Sequence, residues 1–122
     1  MRFFKYTAAI IILVILILFC LWLYLVGPND EIRISSANKD ILEITQGIEK
    51  YKKKYGVYPD TKKGLKVLID KGVVSVLNTD PWGEPYHYEY PGKHNLNGYD
   101  LWSTGADFKN GGSGINADIG NW

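Results

Sequence analysis

The sequence predicts an α+β fold: a long N-terminal helix, part of it in a membrane, packed on a small antiparallel sheet and followed by a long C-terminal loop. Three observations predict it. An apolar run without a single charged residue extends from Ala8 to Val26. Ile41, Ile44, Ile48, Tyr51 and Tyr55 then recur at spacings of three and four, the signature of one helical face. From Tyr86 to Tyr90 the period changes to two, as in a half-buried strand.

At about 1.5 Å per residue the first run reaches roughly 28 Å, close to the ~30 Å thickness of a bilayer's hydrocarbon core. Trp22 and Tyr24 stand near its far end, where interfacial aromatics belong. Arg2 and Lys5 precede it, whereas Asp30 and Glu31 follow. The positive-inside rule therefore places residues 1–7 in the cytoplasm, residues 8–26 across the membrane and residues 27–122 outside. A cleaved secretory signal is the competing reading. The run is longer than a usual signal core, however, and Leu25-Val26-Gly27-Pro28 offers no small-residue cleavage site. Cys20 is preceded by the bulky Phe19, which argues against a lipoprotein site.

Gly27-Pro28-Asn29-Asp30 predicts a break, and a second helix runs from about Asp30 to Tyr55. Lys50 and Lys52 to Lys54 suit its negative C-terminal pole, and Gly56 its C-cap. Pro59 disfavours helix at Tyr58. Asp60 or Thr61 then caps a short third helix with Leu65, Leu68 and Ile69 inward, ending at Gly72. Val73 to Leu77 is an apolar connector. Asp80-Pro81-Trp82-Gly83 reads as a turn leading into the Tyr86–Tyr90 strand. The turn-rich 91–98 segment connects it to a second strand, Tyr99 to Ser103. Thr104 to Asn121 is a long loop with little regular structure, and such loops are uncommon in compact domains unless they are functional or disordered.

A net charge of +1 gives no basic footprint for nucleic acid. Cys20, the sole cysteine, lies at membrane depth, so neither an intrachain disulfide nor an external thiol site is available. His87 and His94 lack a diagnostic zinc spacing, and His87 is expected on the solvent side of its strand. Ser103, Ser113, Asp100 and His94 come without a nucleophile elbow, so no hydrolytic triad is read from them. Trp82, Trp102, Trp122 and the tyrosines are expected chiefly in the core rather than on a sugar-binding platform.

The C-terminal loop is different. A Gly/Asn/Asp-rich segment cannot order itself by burying apolar surface, and a hard cation is the external organiser its composition suggests. Asp107 and Asp118 offer carboxylates, Ser113 and Asn116 neutral side-chain oxygens, and the glycines free backbone carbonyls. The competing reading of the same residues is a set of Asx-turns and caps in a glycine loop.

An ordered series of short motifs runs along the chain. It comprises Pro28-Asn29, Tyr51-Lys52, Tyr58-Pro59 with Thr61 and Gly64-Leu65, Asp80-Pro81-Trp82-Gly83, Tyr86, and Pro91-Gly92. Asp100, Ser103, Gly105 and Asp107 follow, and Asp118-Ile119-Gly120-Asn121-Trp122 completes it. The series resembles the protein G family of type II secretion systems, the major pseudopilins, which are relatives of type IV pilins. The resemblance implies a non-enzymatic structural subunit, anchored by one helix in the bacterial inner membrane. Its partners would be further copies of itself in a filament, other pseudopilin subunits and inner-membrane secretion components. It also implies calcium in the loop, held by the Asp107 and Asp118 carboxylates and by main-chain oxygens of Thr104 and Lys109. Ala117 stands where many members carry a second acidic residue. Two carboxylates suggest weak, extracellular-type binding, with Kd on the order of 10⁻⁴ M.

The N-terminus departs from the family pattern. With Thr7 aligned to the family's threonine, Lys5 replaces the glycine before the prepilin-peptidase cleavage point. Ile10 replaces the glutamate that registers neighbouring subunits. These departures support a second expectation: a permanently anchored, calcium-dependent binding module that keeps the outer fold and does not polymerise.

Overall fold

The computed structural model describes residues 2–26 and 29–122. Helix α1 is Arg2–Val26 and helix α2 is Asp30–Tyr55. A short helix α3, Lys66–Asp70, precedes strands β1 (His87–Glu89) and β2 (Asp100–Ser103). Two 3-10 turns, Gly105–Asp107 and Gly114–Asn116, lead to a third strand, β3, at Ile119–Gly120. The predicted break at Gly27-Pro28 lies outside the described residues.

From Thr7 to Leu25 every side chain of α1 is exposed. This 19-residue stretch is long and apolar enough to cross a membrane. Exposing so many Ile and Leu side chains to water is costly, at roughly 25 cal/mol per Å² of apolar surface, so the helix requires an apolar surrounding.

Helix α2 begins where Asn29, in extended conformation, accepts a hydrogen bond on its side chain from the Ile32 N–H at 3.0 Å. This cap satisfies one orphan donor of the first turn. Asp30 and Glu31 lie at the positive pole of the helix and Lys52 to Lys54 at the negative one. Gly56 ends it at φ 78°, donating its N–H to the Lys52 carbonyl at 2.7 Å.

The buried face of α2 carries Ala37, Ile41, Ile44, Gly47, Ile48 and Tyr51. It packs on Val67, Leu68, Tyr86, Tyr99 and Leu101 to form the core. Ile48, Leu68 and Leu101 are fully buried, each contributing on the order of 1.5–3 kcal/mol of hydrophobic stabilisation. At Gly47 a Cβ would stand 2.8 Å from Val74 Cγ1, so the missing side chain admits the 73–77 connector. The stripe stops short of expectation at Tyr55, which is 38% exposed where the helix runs past the core.

Helix α3 is shorter than the sequence predicts. Asp60 bonds the Lys62 N–H through its side chain and the Lys63 and Gly64 N–H groups through its carbonyl, so residues 61–65 form turns rather than helix. The inward face shifts accordingly. Val67 and Leu68 are buried, Leu65 is half-buried, and Ile69 points outward.

The sheet is antiparallel, in the order β1-β2-β3. Tyr88 pairs with Leu101, and Ser103 with Ile119. Tyr86 is buried and Tyr88 half-buried, each anchored by its hydroxyl: Tyr86 donates to Asp40 and Tyr88 to the Pro59 carbonyl, both at 2.9 Å. Burial, assisted for Tyr86 by the Asp40 contact, pushes both phenols well above the ordinary tyrosine range, so they stay neutral donors. Tyr90, expected to continue the alternation, lies beyond the strand and is exposed.

Candidate functional site

The loop from Thr104 to Asn121 is fastened at its start by a buried carboxylate. Asp80, 3% exposed, accepts the N–H groups of Trp82 and Glu84 on one oxygen, at 3.0 and 2.9 Å. Its other oxygen accepts the Ser103 hydroxyl at 2.5 Å, and the Gly105 N–H donates to that hydroxyl oxygen at 3.1 Å. Ser103 is fully buried, with its hydroxyl given to Asp80.

The far end is fastened by Asn121. Its side-chain oxygen accepts the Leu101 N–H at 2.9 Å, its side-chain amide donates to the Tyr99 carbonyl at 3.1 Å, and its backbone N–H donates to the Leu101 carbonyl at 3.1 Å. Ile119–Gly120 thus pairs as β3 with β2, where the sequence reading had only loop.

Between these anchors the two 3-10 turns fold against each other. Gly105 adopts φ 71°, and a Cβ there would meet the Ile115 and Ala117 carbonyl oxygens at 2.7 and 2.8 Å. Gly112, at φ 86°, is crowded in the same way by the Asn116 carbonyl. The glycines are thus the means by which the carbonyls of residues 115–117 close on the opposite strand of the loop.

The candidate ligands are distributed through this fold. Asp107 accepts the Lys109 N–H at 3.1 Å, an Asx-turn of the kind the competing reading foresees. Asp118 accepts the Gly111 N–H on one oxygen at 2.9 Å. Its other oxygen is buried and has no hydrogen-bond partner. Thr104 is buried, whereas Ser113 is exposed and Asn116 half-buried. No group of three or more His, Cys, Asp or Glu side chains gathers among the described residues. A cation here would draw on two carboxylates and otherwise on carbonyl and neutral oxygens, which is the chemistry a hard ion accepts. The orphaned Asp118 oxygen is the observation that suits such an ion. A buried acceptor without a donor costs on the order of 1–3 kcal/mol, and a cation would satisfy it.

Sequence reasoning missed two organising carboxylates, Asp80 and Asp100. Asp100 is 2% exposed and accepts the N–H groups of Lys93, His94 and Asn95 at 2.8, 2.8 and 2.9 Å. Burial pushes its pKa up, but these donors and the His94 ring outweigh that and hold it at about 2. The histidines do not converge on a metal: His87 stacks on Trp102, and His94 on Trp122. The core expectation fails for the tryptophans: Trp82 and Trp102 are half-buried outside the core cluster, and Trp122 is 47% exposed.

A model of the type II secretion system (T2SS) protein G family matches residues 24–122. The chain belongs to the protein G family. The type II secretion system core protein G of Pseudomonas aeruginosa is 39% identical over 106 residues, covering 76% of this chain and 73% of that protein. The corresponding Vibrio cholerae protein is 34% identical over 110 residues, covering 80% and 74%. The crystal structure of the major pseudopilin from the type 2 secretion system of enterohaemorrhagic Escherichia coli superposes with a TM-score of 0.65 at 25% identity. That match covers 76% of this chain and 89% of the crystallised one. This protein G chain thus has the pilin-like plan expected from its sequence: an apolar N-terminal helix, a long second helix and a small antiparallel sheet.

Proposed function

We propose that this protein G chain is a non-enzymatic structural subunit of a type II secretion pseudopilus, and that calcium holds its C-terminal loop. The observation that carries the subunit reading is a family match over residues 24–122 joined to the exposed apolar stretch Thr7–Leu25 of α1. Such a helix is satisfied by lipid before assembly and by the α1 helices of neighbours after it. The chain is then a single-pass protein of the bacterial inner membrane, with a cytoplasmic N-terminus and an extracytoplasmic domain. Its partners are further copies, other pseudopilins and inner-membrane secretion components. Co-purification from native membranes tests this: other pseudopilins are expected with the tagged chain, and their absence would sink the reading.

The calcium part rests on the buried, unpartnered oxygen of Asp118. Asp107 and Asp118 would hold the ion through carboxylates, Thr104 and Lys109 through carbonyls, with Ser113 and Asn116 as neutral oxygens. The ion supplies charge neutralisation and cross-links loop strands that have almost no apolar surface to bury. Calorimetric titration of the full-length chain in detergent is expected to give a Kd on the order of 10⁻⁴ M.

The second reading, a permanently anchored calcium-dependent binding module that does not polymerise, is favoured by Lys5 and Ile10, which lie in the part of the chain outside the family match. Treatment with prepilin peptidase separates the two readings. Unchanged electrophoretic mobility, together with monomers in the membrane, supports the module.

A further inference from the structure

One connected groove carries charge of both signs. Its larger part, about 510 Å³, opens between α3 and β1 over an apolar floor that includes Ile44, Leu77 and Tyr86. Lys63 and Lys66 border it, and among the described residues no carboxylate does. Its smaller part, about 220 Å³, shares Ile44, Leu77 and Asn78 with the first and is bordered by Asp40 and Glu43. Among the described residues neither lysine makes an ion pair, although Asp70 stands one turn from Lys66. Asp40 accepts the Tyr86 hydroxyl and likewise makes no ion pair among the described residues. Glu43 meets Lys39 at 3.9 Å, a loose contact between two largely exposed side chains. An occupant complementary to this groove has an anion at one end, a cation at the other and an apolar side chain between them.

The chain itself presents that combination at the start of α2. Ile32 is 59% exposed, with Glu31 before it and Arg33 after it. At 3.6 residues per turn these two charges flank Ile32 on either side around the helix. Neither makes an ion pair among the described residues. No other exposed aliphatic side chain among the described residues stands between charges of opposite sign. The aromatic Phe108 lies between Asp107 and Lys109, but Asp107 accepts the Lys109 N–H and belongs to the loop site.

We propose that this groove receives the first turn of α2 from a second copy of the chain. Glu31 meets Lys63 and Lys66, Ile32 lies over Leu77, and Arg33 faces Asp40 and Glu43. Charges of both signs fix the direction of the docked helix as well as its place. Ile32 and the groove's Ile44 both belong to α2, twelve residues or roughly 18 Å apart along its axis. Copies that share one membrane orientation run their α2 helices in the same sense. A two-fold axis across the helices would reverse one of them, and a two-fold along them would bring Ile32 level with Ile32. Docking Ile32 beside Ile44 therefore requires an axial offset, so the contact is heterologous and repeats from copy to copy. The inference rests on the subunit reading above and adds the residues through which copies recognise one another.

The test uses native host cells producing two full-length chains with different tags, both carrying Cys20→Ser. One also carries Ser35→Cys, one turn from Ile32, and the other Asn78→Cys in the groove. Mild oxidation is expected to join them as a disulfide-linked pair bearing both tags. Adding Glu31→Lys to the first chain should lower the yield about fivefold, the upper range for one exposed ion pair. Lys66→Glu in the second chain should then recover most of it, which a merely structural effect of either substitution would not do. Failure of that recovery, or a Ser35→Cys chain joined only to a different protein, overturns the inference. A parallel amine-reactive reagent reports assembly of any kind. Oligomers without the disulfide overturn the docking contact alone; monomers throughout overturn the subunit reading with it.

Discussion

The indole of Trp122 lies flat on the imidazole of His94, with ring centroids 3.9 Å apart and planes 6° from parallel. His94 is itself fixed, its Nδ1 3.0 Å from the Asp100 carboxylate that also accepts its backbone N–H. A buried carboxylate thus shapes the 93–95 turn, the turn presents an aromatic face, and that face holds the tail four residues beyond Asp118. The stack connects the sheet to the candidate metal loop.

Trp122→Ala removes this stack. An aromatic pair contributes about 0.5–1.5 kcal/mol beyond its area burial, and Trp122 remains partly exposed. The full-length variant in detergent should lose about 1–2 kcal/mol in urea denaturation while keeping its far-UV circular dichroism. An unchanged midpoint would mean that the stack holds nothing.

Asp100 should give the domain an acid limit. Its folded pKa of about 2 lies below the unfolded value near 3.9. The sign follows: its contribution is complete above about pH 4 and is lost as pH falls towards 2. Asp100→Asn should cost about 1.5–3 kcal/mol at neutral pH, the worth of hydrogen bonds to a charged acceptor. It should also flatten the stability profile between pH 4 and 2. Parallel profiles for variant and native chain in that window would refute this assignment.

The helical part of the fold was legible because apolar period and caps agree: Ile41, Ile44 and Ile48 face the core, and Gly56 ends α2. Tyr86 and Tyr88 marked the strand for the same reason. β3 was not legible, since two residues, one of them glycine, carry no period; Asn121 fixes that strand through side-chain bonds to β2 that no local pattern encodes. Asp80 and Asp100 were hidden differently. A carboxylate reads as surface unless its donors are known, and theirs are backbone N–H groups brought round by turns. At the candidate site the carboxylates and neutral oxygens could be read from composition, whereas the unpartnered Asp118 oxygen emerges only from packing.

Two glycines with similar backbones should respond differently to alanine. Gly56 has φ 78° with open space around its missing Cβ, so Gly56→Ala pays only the left-handed strain, about 1–2 kcal/mol. Gly105 has φ 71°, and its Cβ would also press on the carbonyls of Ile115 and Ala117. Overpacking adds about 1–3 kcal/mol, so Gly105→Ala should be the more damaging by that margin. Equal losses in parallel denaturation curves would show that the two turns of the loop are not tightly apposed.

Asp118→Asn separates the metal reading from the Asx-turn reading. Without a cation, the native chain keeps a buried carboxylate oxygen unpaired, and neutralising it should leave stability unchanged or raise it. With calcium the order should invert. At 100 times a Kd on the order of 10⁻⁴ M, a ligand that binds only the folded state stabilises by about 2.7 kcal/mol. The native chain should gain that amount in about 10 mM calcium, whereas the variant, lacking one of two carboxylates, should gain little. Magnesium at the same concentration should do less, because it is reluctant to dehydrate and demands a tighter octahedral shell. If native chain and variant gain alike from calcium, Asp118 is no ligand, and its second oxygen is only a cost of folding the loop.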